Sequence, residues 1–178
     1  KYNKWNAYVI GDEPRDKLDF QHDRLKNFGF KEHKEVIKIY KKTSIAVVCS
    51  RWEEPFGRTS LEAAANGCAV IISSKGGLPE TITNGRILKN LTVNDIYKNI
   101  EDLIINTEVR KKYQKLSYKN FYLSHQYVSK QIDNVRFSLT KKFWPGVINP
   151  KTKLRILHIT NFNERHNGRL FFNTGRRL

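Results

Sequence analysis

Glu54 and Glu62 stand with seven residues between them in the run Glu54-Pro55-Phe56-Gly57-Arg58-Thr59-Ser60-Leu61-Glu62. The run reads as a loop that turns into a helix. Pro55 and Gly57 come first, then Leu61-Glu62-Ala63-Ala64-Ala65, with Gly67 in the role glycine takes after a helix C-terminus. A carboxylate at Glu54 can accept hydrogen bonds from sugar hydroxyls, and one at Glu62, a turn into the helix, from a ribose. Gly57 lets a ligand approach the backbone closely. The helix start at residues 59–61 presents free N–H groups at the positive end of the helix dipole, which suits a diphosphate. A second glycine turn, Lys75-Gly76-Gly77-Leu78-Pro79-Glu80, leads into another helix start. Two glycine turns and two helix N-termini at one sheet edge are expected to make an anion cradle.

Each of these residues also has a plainer role open to it. Thr59-x-x-Glu62 is the pattern of a capping box, in which Glu62 only satisfies the helix start. Glu54 beside Pro55 lacks a comparable structural role. Arg58 fits a solvated charge of which only the backbone matters. His33 and His125 suit caps or the surface, and Trp52 suits packing.

The elements that must position these groups alternate between short apolar strands and helices. Strands are expected at 7–10, 45–49, 69–73 and 86–88, with 28–30 as a short strand or turn. Helices are expected at 32–42, 59–66, from Pro79 onward, and in succession at 95–105, 108–119 and 125–137. Strands apolar on both faces and separated by helices imply a parallel sheet covered on both sides, an α/β Rossmann-like fold. Ligands of such sheets bind outside the carboxyl ends of the strands, where the glutamate loop falls.

Composition narrows the function classes. The chain has 178 residues, 33 basic and 17 acidic, for a formal net charge of +16 that lies mostly beyond residue 100. Such a field favours anionic partners, or is a lysine-rich solvated face. Neither zinc-finger spacing nor an aromatic RNA-recognition signature is present, so nucleic acid is not expected. No apolar run approaches the ~20 residues of a membrane-spanning helix. Cys49 and Cys68 sit beside strand residues and read as buried thiols, which favours a reducing, cytoplasmic compartment. The opening at Lys1, with no Met in the chain, leads us to expect a start inside a larger protein.

Five ordered blocks resemble one family. Glu54-Pro-Phe-Gly, the Glu54/Glu62 pair, Leu61-Glu-Ala-Ala, Gly67-Cys-Ala-Val and Gly76-Gly-Leu-Pro-Glu80 are similar to the signature of the group 1 (family 4) retaining glycosyltransferases of two-domain GT-B architecture. Phe28-Gly29-Phe30 through His33 resembles that family's nucleobase loop. The similarity runs from about residue 7 to 136. It implies a carboxyl-terminal donor-binding domain in which Glu54 holds hydroxyls of the donor sugar. The N–H groups of Phe56, Gly57 and Arg58, with Thr59, would contact sugar and phosphates. Glu62 would bind the ribose, and Gly29, Phe30 and Lys31 would meet the base, with Gly76 and Gly77 completing the donor site. The donor would be a nucleoside diphosphate sugar and the acceptor a glycan or lipid-linked molecule. Neither cofactor nor metal is implied, because basic side chains and helix dipoles stabilise the leaving diphosphate.

Two departures from the family pattern stand out. The resemblance implies an additional opening strand and an Arg/Lys pair at the diphosphate. No block here matches them, so they are expected upstream and the chain alone is expected not to turn over. Second, Pro145-Gly146 and Asn149-Pro150 mark a linker, and 154–160 reads as a fresh apolar strand followed by a glycine-bearing loop. The expected division is a domain at 1–141, a linker at 142–153 and the start of a second module at 154–178. The readings that compete with an enzyme half are a nucleotide-sugar epimerase and a catalytically inactive nucleotide-sugar-binding or membrane-docking module. The last would use its basic helices for peripheral contact with an anionic membrane.

Overall fold

The computed structural model describes residues 2–11 and 20–143. The chain divides into two compact units, Lys1–Tyr127 and Val128–Leu178. In the first unit the strands are β1 (Ala7–Val9), β2 (Leu25–Asn27), β3 (Ile45–Val48), β4 (Ala69–Ser73) and β5 (Gly85–Leu88). The helices are α1 (His33–Tyr40), α2 (Arg58–Ala65), α3 (Val93–Ile105) and α4 (Thr107–Lys119), with one 3-10 turn at Leu78–Thr81. A fifth helix, α5 (His125–Phe143), begins in the first unit, and its residues from Val128 belong to the second.

All strand pairs are parallel, as the two-faced apolar runs require. β4 lies between β3 and β5, pairing Val48 with Ile72 and Ile72 with Ile87. Every residue of β4 is buried, and alternate side chains serve opposite faces. Val70 and Ile72 pack with Tyr40, Ala63, Ala64, Cys68 and Leu78, the face covered by α1 and α2. Ala69 and Ile71 pack with Leu88 and Leu103 and with Ile96, Ile100 and Tyr113, the face covered by α3 and α4. Helices therefore lie on both sides of the sheet.

α3 and α4 form a fastened pair. Thr92 caps α3, its hydroxyl oxygen accepting the Asp95 N–H at 3.1 Å. Arg110, from the first turn of α4, donates to the terminal carbonyls of α3 at Leu103 (2.7 Å) and Ile104 (3.1 Å). Its guanidinium also stacks over the Trp5 ring at 4.9 Å, tying the start of the chain to these helices. Ser117, fully buried, donates to the Asn84 carbonyl at 2.6 Å, which anchors α4 beside β5.

Three expectations need correction. The sheet is not continuous: β1–β2 and β3–β4–β5 are separate sheets. A cavity of about 700 Å³ lies between them, lined by Ala7, Tyr8 and Ile10 on one side and Ile45, Ala46 and Val47 on the other. β1 consequently stays exposed, Tyr8 at 46% and Val9 at 39%, where its apolar run predicts burial. The second strand is 25–27, a segment not expected as a strand, and of the two readings open for 28–30 the turn holds. Gly29, in the left-handed region at φ 57°, makes 28–30 the turn after it. Finally, α5 runs to Phe143, beyond the predicted 137 and into the first residues of the predicted linker. The rest of that linker and the strand-like stretch 154–160 lie outside the described residues.

Candidate functional site

The loop between β3 and α2 stands at the carboxyl edge of the three-stranded sheet. Its first residue, Ser50, is tied to the end of β4: its N–H donates to Ser73 Oγ at 2.9 Å, and Ser73 Oγ donates back to the Ser50 carbonyl at 3.1 Å. The loop ends at Gly57, whose φ of 87° belongs to the left-handed region. A side chain there would also strike Leu78 Cδ2, 2.5 Å from the place of a Cβ. Gly57 is the N-cap of α2, so the helix starts at Arg58 and its first N–H groups face out of the helix end.

The Gly76–Gly77 turn packs against this loop backbone to backbone. A Cβ on Gly76 would lie 2.2 Å from the Glu54 carbonyl oxygen, and one on Gly77 2.7 Å from that of Pro55. The Gly77 N–H donates to the Glu54 carbonyl at 2.7 Å. Beneath the contact runs a short buried polar chain. Ser60 Oγ donates to the Gly57 carbonyl at 2.7 Å and lies 2.6 Å from Thr81 Oγ1, which donates to the Leu78 carbonyl at 2.7 Å. Both glycine loops and the start of α2 are thus one bonded unit.

Above that unit opens a groove of about 930 Å³, lined among others by Trp52, Glu54, Phe56, Gly57, Arg58 and Thr59. Among the described residues the Glu54 side chain makes no hydrogen bond or ion pair, which leaves its oxygens available to a ligand. Glu62 is engaged differently. Its Oε1 lies 3.2 Å from His33 Nε2 and 3.6 Å from the Arg58 guanidinium, and its side chain is only 19% exposed. His33 opens α1, directly after the turn that carries Gly29, Phe30 and Lys31. That turn is built by the Gly29 N–H donating to Asn27 Oδ1 at 3.1 Å and the Gly11 N–H donating to the Gly29 carbonyl at 2.9 Å. Phe30 stands 78% exposed there, and the Lys31 ammonium lies 6.0 Å from the Phe28 ring centre.

The Glycosyl transferases group 1 family model matches residues 1–120. The chain belongs to this family. It is 33% identical over 101 residues to spore coat protein SA of Bacillus subtilis, a match covering 54% of this chain and 27% of that protein. It is 32% identical to the carboxyl-terminal domain of a group 1 glycosyl transferase (LpcC) of Francisella tularensis, with a TM-score of 0.57 over 67% of this chain and 69% of that one. The Anabaena protein HepE, solved in complex with UDP and glucose, shares the fold at 20% identity, with a TM-score of 0.59 over 75% of this chain and 40% of that one. The chain therefore spans about a quarter of the curated relative's length and carries the Rossmann-like half of a GT-B fold.

For this group 1 glycosyltransferase domain, the structure brings Glu54, Phe56, Gly57, Arg58 and Thr59 together at one groove. Glu62 and the 29–31 turn meet through His33. Two sequence readings change. Thr59 is the second residue of α2, not its cap, so the Thr59/Glu62 capping box does not form. The box in this structure is at α1, where the Glu32 N–H donates to Glu35 Oε2 at 3.4 Å. The Gly76–Gly77 turn does not offer two free N–H groups as half of an anion cradle, because Gly76 donates to Glu53 and Gly77 to Glu54. The helix after it is a single 3-10 turn.

Three residues read as structural or left unread take part. Trp52, expected to pack, is 73% exposed on the groove wall. His33, expected at a cap or on the surface, sits against Glu62. Glu53 holds the second glycine turn: Gly76 N–H donates to its Oε2 at 2.6 Å and the Lys75 ammonium to its Oε1 at 3.3 Å. Those two donors hold the Glu53 carboxyl below its ordinary range. The adjacency of two glutamates before Pro55 is the only sequence signal for this division of labour.

Proposed function

We propose that this domain binds a nucleoside diphosphate sugar in the groove at the start of α2, and that within its whole protein it serves retaining sugar transfer to a glycan or lipid-linked acceptor. The observation that carries the reading is the Glu54 carboxylate on the groove wall, unpartnered among the described residues, in the loop that leads to the open N-terminus of α2. In this reading Glu54 accepts hydrogen bonds from the donor sugar. The N–H groups of Phe56, Gly57, Arg58 and Thr59 receive the sugar and diphosphate, where the helix dipole stabilises negative charge. Glu62 takes the ribose diol, and Gly29, Phe30 and Lys31 border the base. Gly76 and Gly77 act as the backing of the loop.

Binding is metal-independent in this reading, since N–H groups and basic side chains supply the positive potential. The protein works in the cytoplasm, with its thiols reduced. The exposed lysines of α4 (Lys111, Lys112, Lys115 and Lys119) give it a face for peripheral contact with an anionic membrane, which vesicles with and without anionic lipid would test.

The test of activity uses the full-length protein. Release of nucleoside diphosphate from a panel of nucleotide sugars, in the presence of acceptor, should appear in the wild type and be strongly reduced in Glu54→Gln. A full-length protein that binds nucleotide sugars but transfers from none of them would favour the inactive binding module instead.

A further inference from the structure

We infer that Glu53 is a positioning residue of the donor site: its carboxylate latches the Gly76–Gly77 turn beneath the Glu54–Phe56 loop and so fixes the backbone from which Glu54 reaches the groove. The inference rests on the donor-site reading above.

Glu53 and Glu54 are neighbours in the chain with opposite engagements. Glu54 points at the groove without a protein partner among the described residues. Glu53 spends both oxygens on the second glycine turn, one on the Gly76 N–H at 2.6 Å and one on the Lys75 ammonium at 3.3 Å. The Gly77 N–H binds the Glu54 carbonyl at 2.7 Å, so two successive N–H groups of the turn grip two successive residues of the loop.

The interface is too close for side chains. A Cβ at Gly76 would lie 2.2 Å from the Glu54 carbonyl oxygen and 2.5 Å from its nitrogen. Packing at that distance leaves the loop little room to shift while the latch is closed. Release of the Glu53 contact leaves the Gly77–Glu54 bond as the backbone hydrogen bond between the turn and the loop, with the Ser60–Thr81 contact beneath. The Glu54 peptide then gains freedom, and the ligand must order it on binding. Glu53 itself is exposed and outside the groove lining, so it acts through the loop and not on the ligand.

The test compares wild type, Glu53→Gln and Glu53→Ala by calorimetric titration with nucleoside diphosphates, alongside melting temperature and hydrogen exchange of the Gly76 amide. Glu53→Ala should weaken nucleotide affinity by about three- to tenfold, the loss of one hydrogen bond's net contribution. Glu53→Gln, which can still accept from Gly76, should recover most of that loss. The Gly76 amide should exchange faster in the alanine variant, with the melting temperature nearly unchanged. Equal affinity across all three proteins would overturn the positioning role and leave the donor-site reading standing. Tighter binding by Glu53→Ala would also overturn it, since the carboxylate would then be competing with the diphosphate. A wild type that binds no nucleoside diphosphate would remove both.

Discussion

Glu54 and Glu62 were legible as a pair from their spacing, but the structure separates their circumstances. Among the described residues Glu54 has no partner on the groove wall, and Glu62 is held between His33 and Arg58. Glu54→Gln should therefore leave the fold intact and lower transfer by about one to two decades, since a charged hydrogen bond contributes roughly 1.5–3 kcal/mol. Steady-state turnover of the full-length protein measures this, and near wild-type turnover would remove Glu54 from the site. Glu62→Gln should weaken nucleotide affinity and lower the melting temperature only slightly, because no capping box depends on its charge and its ion partners His33 and Arg58 are exposed. A variant that loses stability but binds normally would return Glu62 to a structural role. His33 and Glu53 were not legible, because their roles come from contacts across 29 and 23 residues of chain. No local pattern encodes such pairings.

The helices on the face formed by α3 and α4 were legible to within one or two residues at their starts, where Thr92 supplies a cap and Asn106 breaks one helix from the next. The start of α2 was misplaced by one residue, since Thr59 looks like a cap and Gly57, with its left-handed φ, is the actual one. The glycine turns offer a matched test of backbone against space. Gly29 and Gly76 have similar φ values, 57° and 53°, but a Cβ at Gly29 meets nothing within 4 Å. Gly29→Ala should cost only the left-handed term, about 1–2 kcal/mol. Gly76→Ala should cost clearly more, because the loop must also move away. Thermal unfolding of both variants measures the difference, and equal losses would contradict the close approach at Gly76. The packing of α1 and α2 against β4 also has a pH signature. Burial pushes the Cys68 thiol from 9.0 up to about 12, and the Tyr40 hydroxyl, buried and near Glu62 and Cys68, from 10.0 up to about 12. The unfolded chain then releases these protons at lower pH than the native one, so stability falls as pH rises from about 9 toward 12. Melting curves over that range should show the decline, with a smaller slope in Cys68→Ala.

At the scale of the whole molecule, the alternation of apolar strands and helices was enough to read a parallel α/β domain, and the family confirms it. The break between β1–β2 and β3–β4–β5 was not readable, because each strand's apolar run describes its own needs and not what lies beside it. The break should appear in dynamics. The amides of β1 and β2, short and exposed, should exchange with solvent well before those of β4, all of which is buried. Uniform protection across both sheets would show that they open together. The central claim is that the groove at the start of α2 receives a nucleoside diphosphate without metal. Isothermal titration of this chain with uridine, guanosine and adenosine diphosphates, each with EDTA present, tests it most directly. The account predicts saturable one-to-one binding of at least one of them, unchanged by EDTA and weakened by Glu62→Gln. Binding that strictly requires magnesium, or no saturable heat with any of the three, would contradict it.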